Sequence, residues 1–351
     1  MSLLIATTSG LAGGVRVAGW GTALPARRVT NHDLERMLDT SDRWIVERSG
    51  IRERRWAGPG ETTGPLSVAA ARRALARARL SPTDVDIVVV ATCTPERPVP
   101  STAALVAAEL GAAAGAFDVN AACAGFVYGL ATVSSLLQSG VARTALVVGA
   151  DTMTSVLDKN DRATAVLFGD GAAALVLTGG PVTDPGAPGL VASDLVNDPA
   201  GVDLLVVPAG GSGRPASADT VAAGAHFLRM DGREVFRRAV RAVEASINRT
   251  LARAGATADD VALFVPHQAN ARIVEAVLAR TGIAPARTSS TVDRYGNTSA
   301  ASIPLALAEA AEAATVAPGE LVLLCGFGAG LTVGTALWRW GTPTPSGREA
   351  A

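Results

Sequence analysis

The amino-acid sequence predicts an α/β fold composed of two similar halves. Short, continuous apolar runs such as 86–91 and 261–265 alternate with Ala-rich helical segments, and such runs are typical of strands buried on both faces of a sheet. Residues 181–189 contain three prolines and two glycines, which predicts a connector near the middle of the chain. On each side of this connector a buried strand ends beside a polar residue, Cys123 in the first half and His267 in the second.

In the first half, strands and helices are predicted in alternation. The strands are predicted at 15–18, 86–91, 117–119, 145–148, 163–167 and 172–177, and the helices at 66–80, 101–110 and 125–137. Pro100 precedes the second of these helices and Gly140 follows the third, as expected at helix boundaries. Between the last two strands, Gly169-Asp170-Gly171 predicts a turn.

The second half repeats this alternation. Helices are predicted at 232–254, 269–281 and 301–314, and strands at 261–265, 321–324 and 331–338. Residues 207–217 are rich in glycine and serine and predict a mobile surface loop. We therefore place the first half at 13–180, the second half at 190–340 and a flexible tail at 341–351.

The composition excludes several classes of protein. The chain is 48% hydrophobic, which is ample for a buried core. Its formal net charge of -1 provides no overall basic surface for nucleic acid, and no apolar run is long enough to span a bilayer. Three cysteines argue against a disulfide framework, and the first six residues lack the basic stretch of a secretory signal. We therefore expect a cytoplasmic protein.

Cys123 is the candidate nucleophile. It lies where a strand-like run passes through small residues into a helix, in Asn120-Ala121-Ala122-Cys123-Ala124-Gly125. Because free N–H groups and the helix dipole favour an anion at a helix N-terminus, we expect a pKa below the usual thiol value of about 8.5. A lone buried cysteine is more often inert, and we interpret Cys93 and Cys325 in that way.

His267 and Asn297 are the candidate partners of Cys123. His267 follows the predicted strand 261–265, and Asn297 lies in a turn that opens the next helix. Taken singly, a histidine at a strand end or an asparagine at a helix cap is usually structural. Their position at the ends of elements in an α/β scaffold is nevertheless where catalytic groups collect. Residues 326–330, Gly-Phe-Gly-Ala-Gly, predict a loop whose backbone N–H groups can complete an oxyanion hole.

Six motifs occur in order along nearly the whole chain. They are Asp39–Ile51, Asn120–Gly125, Phe168–Gly171, Val265–Arg272, Gly296–Pro304 and Gly326–Gly330. Together they resemble the motifs of β-ketoacyl-acyl carrier protein synthase III, a family of the thiolase superfamily. The resemblance extends from about Val15 to Trp340. It implies a five-layered α-β-α-β-α thiolase fold built from two similar halves, and a homodimer.

The resemblance implies an acyltransferase that initiates fatty acid or polyketide synthesis. Cys123 would take an acyl group from acyl-CoA. His267 and Asn297 would stabilise the enolate formed when malonyl-acyl carrier protein (malonyl-ACP) loses CO₂. The backbone N–H groups of Cys123 and Ala329 would form the oxyanion hole, although many relatives carry glycine at the position of Ala329. Neither a metal nor an organic cofactor is implied, because acyl-CoA and malonyl-ACP are substrates.

The resemblance also implies three binding surfaces. The coenzyme A contacts would be Thr40, Trp44, Arg48, Arg162, Gly232 and Asn270, with Trp44 and Arg162 on either side of the adenine. The carrier-protein contacts would be Gln268, Arg272, Arg237 and Arg280. The acyl-pocket contacts would be Phe327 and Val99, the latter reaching the neighbouring subunit. Because Val99 is smaller than the aromatic residue of some short-chain members, we expect a pocket that accepts primers longer than acetyl or branched.

Three other kinds of protein use similar residues or the same fold. An acyltransferase of the same fold would pass the acyl group to an alcohol or amine instead of condensing it, and Asn297 argues against this because enolate stabilisation uses it. A papain-like hydrolase also uses Cys, His and Asn, but usually in a secreted chain with disulfides. A catalytically silent scaffold is disfavoured by the intact Cys123, His267 and Asn297.

Overall fold

The computed structural model describes residues 13–181 and 186–341, and its layers follow the order helix, sheet, helix, sheet, helix. This is the predicted α-β-α-β-α arrangement. Residues 342–351 of the predicted tail lie outside the described residues. In the two described ranges, none of the helices has the length and apolar character needed to cross a membrane.

Strands and helices alternate along the chain as the sequence pattern predicts. In chain order the strands are β1 (Gly13–Ala23), β2 (Arg28–Thr30), β3 (Glu53–Arg55), β4 (Ile87–Ala91), β5 (Gly115–Val119), β6 (Thr144–Thr152), β7 (Asp170–Pro181), β8 (Gly189–Asn197), β9 (Leu205–Val206), β10 (Arg229–Met230), β11 (Val261–Pro266), β12 (Leu321–Gly328) and β13 (Thr332–Arg339). The helices are α1 (Asn31–Glu35), α2 (Asp42–Ser49), α3 (Thr63–Ala78), α4 (Thr102–Leu110), α5 (Gly125–Gln138), α6 (Arg162–Ala165), α7 (Ala218–Ala222), α8 (Gly232–Ala254), α9 (Ala271–Thr281), α10 (Val292–Tyr295) and α11 (Ser302–Glu312).

The first sheet has the strand order β1-β7-β6-β4-β5. β4 pairs in parallel with β5 and β6, so the carboxyl ends of these three strands lie at one edge of the sheet. The continuous apolar run of β4 is explained by its interior place in the sheet, between β6 and β5, where Val88, Val89 and Val90 are fully buried. Helices α3 and α4 cover the outer face.

The second sheet has the strand order β11-β12-β13-β8 and takes its strands from residues 189–339. β11 and β12 are parallel, and β13 is antiparallel to both of its neighbours. Helix α8 packs on the outer face, and α9 packs beside α8. The α8 boundaries agree with the prediction because Asp231 caps its first turn and Gly255 ends it with a φ of 63°.

Helices α5 and α11 form the central layer and contact both sheets. Their inward side chains are fully or almost fully buried, among them Phe126 and Leu130 of α5 and Ile303 and Leu307 of α11. Burial of each such side chain stabilises the fold by about 1.5–3 kcal/mol. The two sheets are therefore held on one shared core, and the N-termini of α5 and α11 meet within it.

The two central helices begin in the same way. A short 3₁₀ turn precedes each of them, Ala122–Ala124 before α5 and Ser299–Ala301 before α11. Each turn contains a non-glycine residue with a positive φ, 47° at Ala122 and 52° at Ser299. Such angles are uncommon for residues with a Cβ atom, and they turn the chain sharply into each helix.

Because a similar turn precedes both central helices, the turn that contains Cys123 corresponds to the turn before α11 and not to the segment that contains His267. The turn with Cys123 follows β5, which pairs with β4. In the second half the corresponding segment contains Thr288, which forms a parallel bridge with β11, and continues to Asn297. His267 instead follows β11 itself, as Thr92 follows β4. The sequence-based pairing of Cys123 with His267 as equivalent strand ends is therefore wrong.

The predicted turn at Gly169-Asp170-Gly171 is also wrong. Asp170 and Gly171 belong to β7, and residues 162–165 form α6 instead of a strand. The Asp161 carboxylate starts α6 by accepting a hydrogen bond from the N–H of Ala163. The buried Asp170 carboxylate accepts the N–H of Ala57, a partner 113 residues away that the local pattern does not reveal.

Two further differences concern the second half. β8 lies outside the predicted strands, and residues 326–328 of the predicted glycine loop belong to β12. Residues 210–217 are exposed on the surface, in agreement with a surface loop, while the mobility of 207–217 stays a prediction.

Candidate active site

Cys123 lies in the 3₁₀ turn between β5 and α5. Its side chain is 5% exposed, and its thiol donates a hydrogen bond to Oγ of Ser299 across 3.3 Å. The end of β12 packs directly against this turn: a Cβ atom added at Gly328 would lie 2.6 Å from the backbone nitrogen of Cys123. Only glycine fits at Gly328 without displacing the turn.

Burial raises the pKa of the Cys123 thiol to about 12; the hydrogen bond with Ser299 opposes this rise, and the charge of Asp151 adds to it. The sequence-based expectation of a lowered pKa is therefore wrong for the ligand-free site. A helix terminus contributes at most about 2 kcal/mol, or about 1.5 pKa units, whereas burial can shift a pKa by up to about 3–5 units. Cys123 is thus a neutral thiol at pH 7.

His267 is held in place by three contacts. Its backbone N–H donates to the carbonyl of Cys325 across 2.7 Å, and its ring packs edge-on against Phe327 with 5.3 Å between ring centroids. Nδ1 lies 2.5 Å from Oγ of Ser302. Burial lowers the pKa of His267 to about 3, so the imidazole is neutral at pH 7.

The hydrogen bonds around Ser302 favour one tautomer of His267. Oγ of Ser302 accepts the N–H of Gln268 across 3.3 Å. Within the described ranges, Nδ1 of His267 is the acceptor available to the Ser302 hydroxyl. The hydroxyl therefore donates to Nδ1, and the single proton of the neutral ring lies on Nε2. Nε2 is consequently a hydrogen-bond donor.

Asn297 is fixed through both its backbone and its side chain. Its N–H donates to the carbonyl of Leu167, and its own carbonyl accepts the N–H of Gly169. Oδ1 accepts the N–H of Ser299 across 2.9 Å. Because Oδ1 is the acceptor in this bond, the Nδ2 amino group remains to donate elsewhere. The structure therefore fixes both the position and the orientation of the Asn297 amide.

Two cavities meet at Cys123. The first has a volume of about 150 Å³ and is lined by Cys123, His267 and Asn297, with Gly232 and Asn270 also on its wall. The second has a volume of about 360 Å³ and is mostly apolar; Cys93, Met153, Val156, Leu228 and Ala329 contribute to its wall. The predicted nucleophile thus lies between two mostly apolar cavities, and the narrower one also contains the side chains of His267 and Asn297.

The two residues predicted for the acyl pocket lie outside this wider cavity. Phe327 borders the narrower cavity, where it packs against His267. Val99 is 83% exposed and borders neither cavity of the single chain. Its expected contribution to a neighbouring subunit stays a prediction.

Among the predicted coenzyme A contacts, Gly232 and Asn270 lie at the N-terminal ends of α8 and α9 and line the narrower cavity. Asn270 caps α9, with Oδ1 accepting the N–H of Arg272. Its Nδ2 donates to the carbonyl of Arg48 across 3.0 Å, so α9 is tied to α2.

The remaining coenzyme A candidates gather around Trp44. The guanidinium carbons of Arg48 and Arg162 lie 4.7 Å and 4.9 Å from its ring centroid. Oγ1 of Thr40 is buried and has no hydrogen-bond partner among the residues that the structure describes. This group offers an aromatic face, two cations and an unpaired hydroxyl.

Burial argues against the predicted carrier-protein contact of Gln268. Its side chain is 1% exposed. Nε2 donates to the carbonyls of Pro266 and Ser289, and Oε1 accepts the N–H of Thr291. The side chain is therefore a buried connector between the end of β11 and the segment that leads to α10.

The three arginines predicted to contact a carrier protein differ in their partners. Arg237 pairs with Glu234, and Arg280 pairs with Glu244 across 2.8 Å. Arg272 is exposed at the start of α9, stacks over Phe236 and has no ion pair within residues 13–181 and 186–341. Of the three arginines, Arg272 is therefore the one whose charge is not neutralised by an ion pair within the described ranges.

Three polar residues of the site were missed from the sequence: Ser299, Ser302 and Asp151. Asp151 is fully buried and accepts hydrogen bonds from Thr92, Cys93 and Thr94 on one oxygen and from the N–H of Ala300 on the other. It thereby joins the end of β4 to the turn before α11. The small polar residues that follow Asn297 are the signal that could have identified the two serines.

The comparisons with known proteins agree with this arrangement. Residues 117–199 match the family model described as 3-Oxoacyl-[acyl-carrier-protein (ACP)] synthase III, and residues 251–340 match the model of its C-terminal part. A β-ketoacyl-[acyl-carrier-protein] synthase III of Roseiflexus castenholzii is 51% identical over 325 residues, covering 92% of this chain and 97% of the relative. The chain belongs to the β-ketoacyl-acyl carrier protein synthase III family. The same enzyme of Symbiobacterium thermophilum is 47% identical and covers 93% and 98%.

Solved structures place the fold of this synthase III chain among thiolase-fold enzymes. The 3-oxoacyl-(acyl carrier protein) synthase III of Pseudomonas aeruginosa superposes with a TM-score of 0.85 at 44% identity, covering 95% of this chain and 100% of the other. A priming β-ketosynthase from a polyketide biosynthetic pathway gives 0.86 at 38% identity, with 95% and 98% covered. The protein is therefore an acyltransferase of the synthase III type.

Proposed function

We propose that this protein joins an acyl group taken from acyl-CoA to malonyl-ACP by decarboxylative condensation. The observation that supports this most strongly is the convergence of Cys123, His267 and Asn297 on one cavity, with a separate apolar cavity beyond the thiol. The narrower cavity suits a pantetheine arm, and the wider one suits an acyl chain. The relatives are named for a β-ketoacyl-ACP product.

In the first half-reaction, Sγ of Cys123 attacks the thioester carbonyl of acyl-CoA. The Sγ–C bond forms, the C–S bond to coenzyme A breaks, and the thiol proton ends on the departing coenzyme A sulfur. The backbone N–H groups of Cys123 and Ala329, which border the same cavity, hold the oxyanion of the tetrahedral intermediate. The methyl group of Ala329 does not alter this role, because only the N–H is used.

Binding of the adenine requires a rearrangement at Trp44. The 4.9 Å between the Arg162 guanidinium and the Trp44 ring leaves no room for a third ring, which needs roughly 7 Å for two stacked contacts. Arg162 is exposed and donates to the carbonyl of Asp39. We therefore propose that Arg162 moves outward to admit the base, while the unpaired Thr40 hydroxyl gains a partner.

In the second half-reaction, malonyl-ACP loses CO₂ and its thioester oxygen becomes an enolate oxygen. Nε2–H of His267 and the Nδ2 amino group of Asn297 donate to this oxygen. Each such donor in a buried site is commonly worth about 100- to 1,000-fold in rate. The enolate carbon then attacks the acyl carbon on Cys123, the Sγ–C bond breaks, and the thiolate takes up a proton.

The alternative, transfer of the acyl group to an alcohol or amine, receives less support. That reaction needs a base to take the proton of the attacking O–H or N–H group. His267 carries a proton on Nε2, and its low pKa of about 3 makes it a weak base. Its arrangement suits donation to an enolate better than proton removal.

We also propose a homodimer that forms at the free edge of the first sheet. This edge is formed by β5, at the opposite side of the sheet from the other edge strand β1, and Phe117 of β5 is 37% exposed. The strongly exposed Val99 lies in the segment between β4 and α4. An uncovered edge strand with apolar side chains favours pairing with another chain.

No resident metal or organic cofactor enters the proposed chemistry, and the cytoplasmic location stays a prediction.

The experiment that tests the proposal separates the two half-reactions. The protein is incubated with acyl-CoA and digested, and the acyl mass is located on its peptides; we expect it on Cys123 and not on Cys93 or Cys325. Malonyl-ACP is then added, and a β-ketoacyl-ACP product is expected with loss of the adduct. A stable adduct that is never converted to product would reject condensation, and the same preparation offered an alcohol or amine would test the alternative.

A further inference from the structure

Ser299 contacts the thiol of the candidate nucleophile. Its side chain is fully buried, and Oγ lies 3.3 Å from Sγ of Cys123 and 3.5 Å from Sγ of Cys93. In the part of the chain that the structure describes, Ser299 provides the one side-chain hydrogen-bond partner of the Cys123 thiol.

The backbone holds this hydroxyl firmly. Ser299 has a φ of 52°, a left-handed conformation that costs free energy for a residue with a Cβ atom. Its N–H donates to Oδ1 of Asn297, and the next N–H, that of Ala300, donates to the buried carboxylate of Asp151. Glycine would adopt this backbone more easily, so the side chain at this position is retained against a conformational cost.

The hydroxyl proton of Ser299 has two possible acceptors. The resting Cys123 thiol donates to Oγ, so the Ser299 proton must point elsewhere. The Cys93 thiol lies 3.8 Å from Sδ of Met153 and donates to it, which leaves Sγ of Cys93 to accept the Ser299 proton. A thiol sulfur is a weak acceptor, whereas a thiolate is a strong one. The hydroxyl can therefore turn from Cys93 to Cys123 at little cost.

We propose that Ser299 is a catalytic residue of the acylation half-reaction, whose hydroxyl turns to donate to Sγ of Cys123 as negative charge develops on that sulfur. The step that it assists is the one in which Sγ bonds to the thioester carbon, the bond to coenzyme A breaks, and the proton passes to the departing sulfur. The inference rests on the proposed acylation of Cys123.

The role follows from the burial of Cys123. A thiolate formed in this closed site loses the stabilisation of water, and the helix terminus restores only part of it. Among the residues that the structure describes, Ser299 is the one whose side chain can donate a hydrogen bond to offset the remainder. Once the acyl group occupies Sγ, the thioester sulfur carries no charge, and the hydroxyl has no further part until the thiolate is released.

The test uses Ser299→Ala and Ser299→Gly, which both remove the hydroxyl and keep the N–H that orients Asn297. Glycine also relieves the positive φ, so its loss of rate cannot be ascribed to a strained backbone. Ser134→Ala is the matched control, because Ser134 is a fully buried serine of α5 whose hydroxyl, within 13–181 and 186–341, bonds only the carbonyl of Leu130.

Single-turnover acylation by acyl-CoA is followed as mass gain on Cys123, and alkylation of Cys123 by iodoacetamide is followed against pH. In both Ser299 variants we expect acylation to fall roughly 10- to 100-fold, as for loss of a hydrogen bond to a charged group. We also expect the alkylation profile to move to higher pH. Release of CO₂ from malonyl-ACP by enzyme that has been acylated to completion should change less than about threefold, because Sγ carries no charge in that step, and the Ser134→Ala protein should behave as wild type.

Unchanged acylation and an unchanged alkylation profile in both Ser299 variants would overturn the inference. Equal loss of acylation and of CO₂ release would overturn it too, because it would indicate a structural role. If the wild-type protein itself gains no acyl mass, the proposed function fails instead, and the alkylation profile still tests the contact between Ser299 and Cys123.

Discussion

Nδ1 of His267 lies 2.5 Å from the hydroxyl oxygen of Ser302, and this contact determines which ring nitrogen faces the cavity. Because Oγ already accepts the N–H of Gln268, its own proton is directed to Nδ1. Nε2 then carries the ring proton and serves as a donor. The serine that begins α11 therefore sets the chemistry of a histidine that follows β11 in another part of the chain.

Ser302→Ala should impair condensation more than acylation. Without the hydroxyl, the proton of His267 can move to Nδ1, and Nε2 would then face the enolate oxygen as an acceptor. We expect a condensation rate about 10- to 100-fold lower, since one donor to developing charge is weakened. Single-turnover assays of the two half-reactions measure this, and ¹⁵N chemical shifts of the ring report the tautomer. Equal losses in both half-reactions would contradict the assignment.

The buried neutral His267 should make the protein less stable in mild acid. Its pKa in the folded state is about 3 against 6.5 for an ordinary histidine, so below pH 6.5 the unfolded chain binds the proton and the folded protein does not. The associated stability is complete above pH 6.5 and is lost as the pH falls towards 3.

The loss should reach about 1.4 kcal/mol per pH unit in the free energy of unfolding. Urea unfolding of wild type and His267→Asn at pH 7, 6 and 5 measures it. The other titrating groups are common to both proteins, so the difference between the two curves isolates His267. Parallel curves would show that the histidine titrates normally in the folded protein.

Gly328→Ala should inactivate the enzyme by moving its nucleophile. A methyl group there would lie 2.6 Å from the Cys123 nitrogen, closer than a Cβ atom can approach, and in a tight contact of 3.0 Å with Cβ of Ala122. We expect acylation to fall at least about 100-fold, because the displaced N–H is also the proposed oxyanion donor. Gly213→Ala is a suitable control, since nothing lies within 4 Å of an added Cβ at Gly213 and its backbone is not in the left-handed region. Wild-type acylation by Gly328→Ala would show that the turn can yield.

The sequence correctly predicted those helices and strands that are determined by residues close together in the chain. The boundaries of α8 follow from an amphipathic run between the cap at Asp231 and the left-handed Gly255, all of which are visible in the sequence. Asp170 was placed in a turn because Gly169-Asp170-Gly171 has the composition of one. Its actual place in β7 depends on hydrogen bonds to Ala57 and Thr154, which only the folded chain brings together.

The candidate active site also combines features that the sequence shows with features that only the folded chain shows. Cys123, His267 and Asn297 were identified from their motifs, and the structure brings them to one cavity. The pKa of Cys123 was misjudged because the helix terminus is visible in the sequence and the depth of burial is not. Ser299 was missed for a similar reason: its partner is 176 residues away along the chain.

Arg272 should contribute to the use of an acidic carrier protein, and Gln268 should not. Arg272 is exposed at the start of α9 without an ion pair in the described ranges, while the Gln268 side chain is buried in three hydrogen bonds. We expect Arg272→Glu to raise the KM for malonyl-ACP about tenfold and to leave acylation by acyl-CoA unchanged. The increase should shrink at high salt, because the interaction lies at the surface.

Arg16→Glu is the matched control, since it makes the same change of charge at an exposed position of β1. Arg280→Glu should raise the KM for malonyl-ACP less than Arg272→Glu does, because Glu244 already neutralises the charge of Arg280. Steady-state assays with malonyl-ACP at two ionic strengths measure all three variants. If Arg272→Glu lowers both half-reactions equally, or if Arg16→Glu has the same effect, the start of α9 is not where the carrier protein binds.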